Sequence, residues 1–205
     1  MSKIFEFNGN RQGTFIDSVS KTAMTPTNVT FKRTEKGQSS FFLKENLIEQ
    51  INTNRTLIPE TGDFSIEAYI NLPKVIETGA PNFDSYPIIS QGGDSFSFYA
   101  ATWYGNANGN LRLYANYQIL VGTDVRGKGW KHIILTRNGN NWDLFVDNEL
   151  NKSAIFSDSI PSADTLIGFS TMGSRKFKGF INKVAIYNHS LSEQERNQLY
   201  QEFLQ

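Results

Sequence analysis

The chain has 205 residues, with 20 Lys plus Arg against 20 Asp plus Glu, and no cysteine. The charge balance leaves no bulk field to draw nucleic acid or an anionic membrane. Without cysteine, no disulfide framework, thiolate metal centre or Cys nucleophile can form. No run approaches the ~18 apolar residues that span a bilayer, and the first ten residues lack an apolar signal segment. The expectation is a chain made in the cytoplasm, with no membrane insertion, long enough for one large β-sandwich.

In chain order, Ile4, Phe5 and Phe7 predict a short apolar strand before Asn8-Gly9-Asn10. Residues 11–60 are less regular. Thr14 to Asp17, Val29 to Lys32 and Ser40 to Leu43 each have the composition of a short strand between Ser-, Thr-, Gly- and Pro-containing turns. Lys44 to Asn52 carries Leu47, Ile48 and Ile51 at helical spacing, which predicts one or two helical turns.

From Asp63 the alternation sharpens. Phe64, Ile66, Ala68, Ile70 and Leu72 oppose Ser65, Glu67, Tyr69 and Asn71, giving one apolar face and one face open to solvent or a partner. Lys74 to Pro87, with Gly79, Pro81 and Asn82, reads as a long loop, a frequent place for binding on a rigid sandwich. Further on, Phe96, Phe98 and Ala100 alternate with Ser97, Tyr99 and Ala101 and run on to Trp103. After a turn over Gly105 to Gly109, Leu111, Leu113 and Ala115 alternate with Arg112, Tyr114 and Asn116. With the Phe and Leu sets in the core, Tyr99, Trp103, Tyr104, Arg112, Tyr114 and Asn116 are presented outward from one hairpin. That group suits a sugar, because rings stack on the C–H face of a pyranose while amide and guanidinium groups bond hydroxyls. It equally suits cover by a neighbouring loop or a protein interface, where Tyr, Trp and Arg are favoured. Both readings stay open at this point.

The most regular stretch is Gly129 to Leu150. Trp130, His132, Ile134 and Thr136 alternate with Lys131, Ile133, Leu135 and Arg137. After Asn138-Gly139-Asn140-Asn141, Trp142, Leu144 and Val146 alternate with Asp143, Phe145 and Asp147. This predicts an antiparallel hairpin, and a second turn at Asp147-Asn148 predicts a third strand through Phe156. Leu166 to Phe169 and Phe177 to Tyr187 follow as buried strands. Ser192 and Glu195 form a capping box for a final helix that lays Leu199 and Phe203 on the sandwich. Arg196 stands where an apolar residue would complete a staple with Leu191, so the start of this helix is expected to be less firmly pinned.

Gly-Trp-Lys-His-Ile-Ile-Leu-Thr-Arg with Trp-Asp-Leu-Phe-Val-Asp-Asn-Glu-Leu resembles the central hairpin of laminin G-like domains of the concanavalin A-like lectin/glucanase superfamily. Asp63 to Ile70, Ile88 to Ser90, and Gly179 to Asn188 with Leu191-Ser192 resemble its early strand, next strand, and closing strand with helix. The resemblance covers residues 60–203 well and 1–60 weakly. It implies an all-β fold: a concanavalin A-like antiparallel β-sandwich (jelly roll) with a short C-terminal helix, one domain over 1–205, its first strand beside its last. Lectins, adhesion modules, enzymes and virus structural proteins all use this fold, so it implies architecture more than function. Family members commonly carry an acidic pair where this chain has Asn182-Lys183, and that pair sometimes contributes to calcium binding. The substitution removes support for a structural calcium, and no cofactor or metal is expected.

For catalysis, only His132 and His189 are available. His132 lies inside a strand where the family often has His and reads as structural; His189 reads as an exposed turn residue. Neither sits in a Ser-His-Asp or HExxH context. Hydrolases of this fold carry Glu-x-Asp-x-x-Glu along one strand, and the chain has none. Glu67, Asp143 and Asp147 read as solvated surface, so no catalytic residue is expected and a glycoside hydrolase is the remote alternative. A binding role remains. One form is a stand-alone carbohydrate-binding or adhesion module. The other is a phage or virus virion component (capsid decoration, head fibre or tail) with other virion proteins or its own copies as partners, and cell-surface or environmental glycans on its outer face.

Overall fold

The computed structural model describes residues 2–8, 15–33, 39–42, 50–74, 83–93, 95–103, 106–157, 159–171, 175–177 and 179–205. Their strands form two large antiparallel sheets. The first, here the helix sheet, contains β1 (Lys3–Asn8), β3 (Thr30–Arg33), β4 (Ser39–Phe42), β6 (Phe64–Asn71), β11 (Trp130–Asn138), β12 (Asn141–Val146), β13 (Glu149–Ile155) and β17 (Phe180–Tyr187). Their order is β13-β12-β11-β6-β17-β4-β3. One edge of β17 is shared: its first residues pair with β4, and Lys183 to Tyr187 pair with β1. The first strand therefore lies beside the last, as the family resemblance implied.

The second, here the hairpin sheet, contains β2 (Thr25–Thr27), β5 (Gln50–Asn52), β7 (Phe83–Gln91), β8 (Phe96–Trp103), β9 (Asn106–Ala115), β10 (Gln118–Asp124) and β14 (Thr165–Ile167), in the order β10-β9-β8-β7-β14-β5-β2. A two-stranded ribbon of β15 (Phe169–Ser170) and β16 (Arg175–Lys176) stands apart. α1 (Glu193–Leu204) follows β17.

Alternation decides which side chains meet between the sheets. Phe64, Ile66, Ala68 and Ile70 of β6, Ile133 and Leu135 of β11, and Trp142 and Leu144 of β12 join Phe96, Phe98, Leu111 and Leu113 of the hairpin sheet in one buried apolar cluster. Trp142 is fully enclosed and meets Phe64 edge-on at 5.4 Å. The turns that set this register use the left-handed conformations their residues tolerate: Gly139 at φ 57°, then Asp147 and Asn148 at φ 51° and 68°. At one flank the last strands of the two sheets touch. Thr123 N–H of β10 donates to Asn151 Oδ1 of β13 at 2.9 Å, and a Cβ at Gly122 would stand 2.5 Å from Leu144 Cδ2.

Several expectations change. The helical spacing in Lys44 to Asn52 does not make a helix of its last three residues. Gln50–Asn52 is β5, paired on both sides by β2 and β14, so ladder bonding overrides the local pattern; residues 43–49 lie outside the described residues. The loop expected over Lys74 to Pro87 gives way to β7 from Phe83. Pro87 sits in that strand beside a register shift between Pro87 and Ile89, which accommodates its missing N–H; residues 75–82 lie outside the described residues. The turn expected over Gly105 to Gly109 is shorter, because Asn106 already pairs with Trp103. The strand expected over Leu166 to Phe169 breaks at Gly168, φ 77°, into β14 and β15.

Candidate binding site

The hairpin sheet turns one face outward, and its ladders place that face row by row. Ser90, Ser97, Tyr114 and Ile119 are successive partners across β7, β8, β9 and β10. Pro87, Tyr99, Arg112 and Val121 form the next row. Exposure rises along both rows toward β10. Ser97 and Tyr99 are each 3% exposed, Arg112 and Tyr114 are half-buried, and Ile119 and Val121 are exposed at 42% and 39%.

Of the six residues expected on this face, Arg112, Tyr114 and Asn116 are therefore half-open and clustered on β9 and its end. Tyr99 shares the row of Arg112 but is buried, so its ring is not an open platform. Trp103 ends β8, its backbone paired to Asn106, with its side chain outside the described residues. Tyr104 lies outside them altogether.

The sequence reading missed Tyr117. It closes the β9–β10 turn, 86% exposed, with its ring edge-on to Tyr114 at a centroid distance of 6.3 Å. Its φ is 72° and that of Asn116 is 44°. Asn takes this conformation readily, but a bulky aromatic residue there is an outlier costing about 1–2 kcal/mol. The signal in the sequence was Asn116-Tyr117-Gln118, two-residue turn chemistry with an aromatic where Gly is usual.

The opposite outer face, on the helix sheet, is covered where α1 packs on it. Glu67, on the face expected to be open, has no exposed surface. It receives His132 Nε2 at 3.1 Å and the Tyr187 hydroxyl at 2.7 Å, and Lys183 Nζ stands 3.0 Å from its Oε2. Its reading as solvated surface is thus overturned, because α1 covers it. Leu199 is buried, its carbonyl accepts from Tyr69 Oη at 3.4 Å, and Tyr200 and Phe203 stack on the His132 ring at 5.7 and 5.5 Å. Burial alone would raise the Glu67 carboxyl. The His132 hydrogen bond, the Lys183 charge and the Tyr187 hydroxyl outweigh it and hold the group at about 2. The same burial beside an anion pushes the Tyr69 and Tyr187 hydroxyls well above their ordinary value.

Asp147 is also engaged, accepting from Lys131 Nζ and the His132 backbone N–H, and Asp143 accepts from Ser153. Asn182 and Lys183, which stand in place of an acidic pair, are buried, with Lys183 committed to Glu67. Among the described residues no group of three metal-competent side chains comes together. The helix start is pinned by another device than a staple. The Ser192–Glu195 capping box forms, while Arg196 Nη1 donates to the Leu191 carbonyl at 2.8 Å and its guanidinium lies 3.9 Å over Phe145.

Between the end of α1 and the start of β11 lies a cavity of about 490 Å³, lined by Tyr69, Trp130, Asp147, Tyr200, Phe203 and Gln205 among others. Nothing in the strand alternation pointed to it, because α1 forms part of its wall.

A laminin G family model described as the concanavalin A-like lectin/glucanases superfamily matches residues 49–195. The chain belongs to this superfamily. Solved superfamily-like structures agree on the fold. Domain 4 of AbnA, an extracellular GH43 arabinanase of Geobacillus stearothermophilus, solved with arabinotriose, has a TM-score of 0.74 at 14% identity, covering 97% of this chain and 98% of that one. The binding domain of Paraclostridial Mosquitocidal Protein 1 has a TM-score of 0.73 at 16% identity, covering 98% of this chain. The receptor binding domain of botulinum neurotoxin type G has a TM-score of 0.68 at 20% identity, covering 99%. The chain spans about half, 52%, of each of these two toxin domains. No curated protein sequence matches. Among the described residues no helix is long and apolar enough to cross a membrane. The fold is that of the superfamily, and the two toxin structures named above are binding domains of their own proteins.

Proposed function

We propose that the protein is a non-catalytic carbohydrate-binding module, and that the sugar lies on the hairpin-sheet face against Tyr114 and Tyr117, with Arg112 and Asn116 bonding its hydroxyls. The carrying observation is Tyr117. A large ring 86% exposed, at φ 72°, edge-on to a second Tyr, is a costly arrangement for a turn that Gly would make freely. A ring open to solvent beside a second, half-buried ring, with a guanidinium one row away, is what a pyranose or furanose needs. The arabinanase domain solved with arabinotriose supports this class of ligand. Against catalysis stands the sealed state of the best acid–imidazole pair, Glu67 and His132, both with side chains 0% exposed beneath α1.

A glycan array followed by calorimetry tests it. Tyr114→Ala and Tyr117→Gly are each expected to weaken binding by about ten-fold or more, since stacking contributes roughly 1–3 kcal/mol per ring by analogy with base–aromatic platforms. An empty array, or unchanged affinity in both variants, refutes the reading.

A second reading concerns assembly. β10 and β13 end their respective sheets side by side, and Ile119, Val121, Leu150 and Ile155 are exposed at 42%, 39%, 60% and 74% along them. Open edges with apolar side chains invite another chain. In its sharpest form this flank is the contact by which the protein joins a phage or virus particle, with other virion proteins or its own copies as partners. Light scattering that finds a strict monomer, with no retention on purified particles, removes it.

A further inference from the structure

The cavity at the foot of α1 belongs neither to the hairpin-sheet face nor to the apolar core. We infer that it is a second ligand site, for a neutral sugar ring or disaccharide. It does not rest on the first reading.

Its size, about 490 Å³, lies within the ~300–1,000 Å³ of small-ligand cavities. Four of its eight lining residues are aromatic: Tyr69 from β6, Trp130 from β11, and Tyr200 and Phe203 from α1. These rings are held rather than loose. Trp130 packs near Phe180 at 6.4 Å, Tyr69 meets Phe203 edge-on at 5.0 Å, and Tyr200 and Phe203 rest on the buried His132 ring. Fixed rings lose little entropy when a ligand seats against them.

The polar part of the wall selects the ligand class. Asp147 brings a carboxylate, but its charge is already met by Lys131, 2.5 Å away, and its other oxygen accepts the His132 backbone N–H at 3.1 Å. A carboxylate has about four lone-pair positions, so acceptor capacity remains for hydroxyl donors while the net charge is compensated. Gln205 adds an amide with both donor and acceptor. Aromatic faces with compensated charge and hydroxyl-matching groups fit a neutral polyol ring. A quaternary ammonium would prefer the same rings with an uncompensated carboxylate.

The test uses the full chain in a Tyr114→Ala/Tyr117→Gly background, so that failure of the hairpin face is read separately. Neutral pentoses, hexoses and their disaccharides, with choline as the cationic alternative, are titrated by calorimetry and saturation-transfer NMR. A saccharide is expected to bind, to show transfer from aromatic protons, and to lose affinity about ten-fold or more with Trp130→Ala. Leu204→Trp acts from an exposed position at the cavity mouth, 57% accessible, and gives the same loss by filling it, so the test stands even where Trp130→Ala disturbs packing. Absence of saccharide binding, affinity unchanged by Leu204→Trp, or choline binding in place of sugar each overturns the inference.

Discussion

The two outer faces of this sandwich start from the same pattern and end in opposite states. On β6, Ser65, Glu67 and Tyr69 alternate with core residues just as Ser97 and Tyr99 do on β8 and Arg112 and Tyr114 on β9. Yet Glu67 is wholly buried in an ion and hydrogen-bond network, while Arg112 and Tyr114 stay half-open and lead to the exposed Tyr117. The difference comes from a third layer. α1 packs on the helix sheet and turns its polar face into an interior, where charges persist only if paired. Among the described residues no helix lies over the hairpin sheet toward β10, and its outer side chains there keep solvent exposure. Alternation tells which residues share a face; what lies over that face decides their chemistry.

Removing the network should give the largest effect. Glu67→Ala leaves Lys183 as an uncompensated buried cation under α1 and is expected to cost about 3–5 kcal/mol in denaturant unfolding. A loss below about 1 kcal/mol would mean that the helix lid does not depend on the charge pair.

Acid should act on the same face somewhat more weakly. The Glu67 carboxyl lies below its ordinary value of 4.5, at about 2. A depressed carboxyl stabilises the folded state above its unfolded value, and that contribution disappears as pH falls from about 4.5 through about 2. The expected loss over this window is on the order of 3 kcal/mol, and it should be missing in Glu67→Gln. Unfolding followed by pH titration of both proteins checks it, and equal acid slopes would place the sensitivity elsewhere.

Smaller again is the cap. Ser192→Ala removes the acceptor for the Glu195 N–H and should cost about 1 kcal/mol, read as a lower unfolding midpoint.

The open face should respond with the opposite sign. Tyr117→Gly relieves the left-handed aromatic residue and is expected to raise stability by up to about 1 kcal/mol while weakening the proposed glycan binding about ten-fold or more. A stability loss in that variant would show that the Tyr114–Tyr117 contact serves packing, and the contrast between the two faces would shrink.

Much of the fold was legible because its strands obey period two where it matters. Phe64 to Asn71 and Trp130 to Arg137 pair without a break over eight residue pairs, each strand keeping the alternation read from the sequence. In the hairpin from Trp130 through Val146, His132 is buried and bonded to Glu67. Less was legible where tertiary pairing overrode local signals, as at Gln50 to Asn52 and around Pro87. The candidate face was partly visible: Arg112, Tyr114 and Asn116 fall together, while Tyr99 is buried. The burial of Glu67 and the cavity beside Trp130 could not be read from strand alternation. Both arise where α1 meets strands distant from it in sequence, as in the Tyr69–Leu199 hydrogen bond across 130 residues.

The contact at Gly122 has a mechanical meaning. Two sheets joined only by apolar side chains resist separation well but resist sliding poorly, since such contacts have no direction. At the flank where β10 meets β13, the Thr123–Asn151 hydrogen bond and the absent side chain at Gly122 let the sheets engage like a key in its slot. That fixes the offset of one layer over the other, and with it the alignment of the exposed β10 residues against those of β13. A larger residue at position 122 would act on both sheets together, as a wedge, and its first expression would be faster amide exchange along both edge strands before any loss at the core.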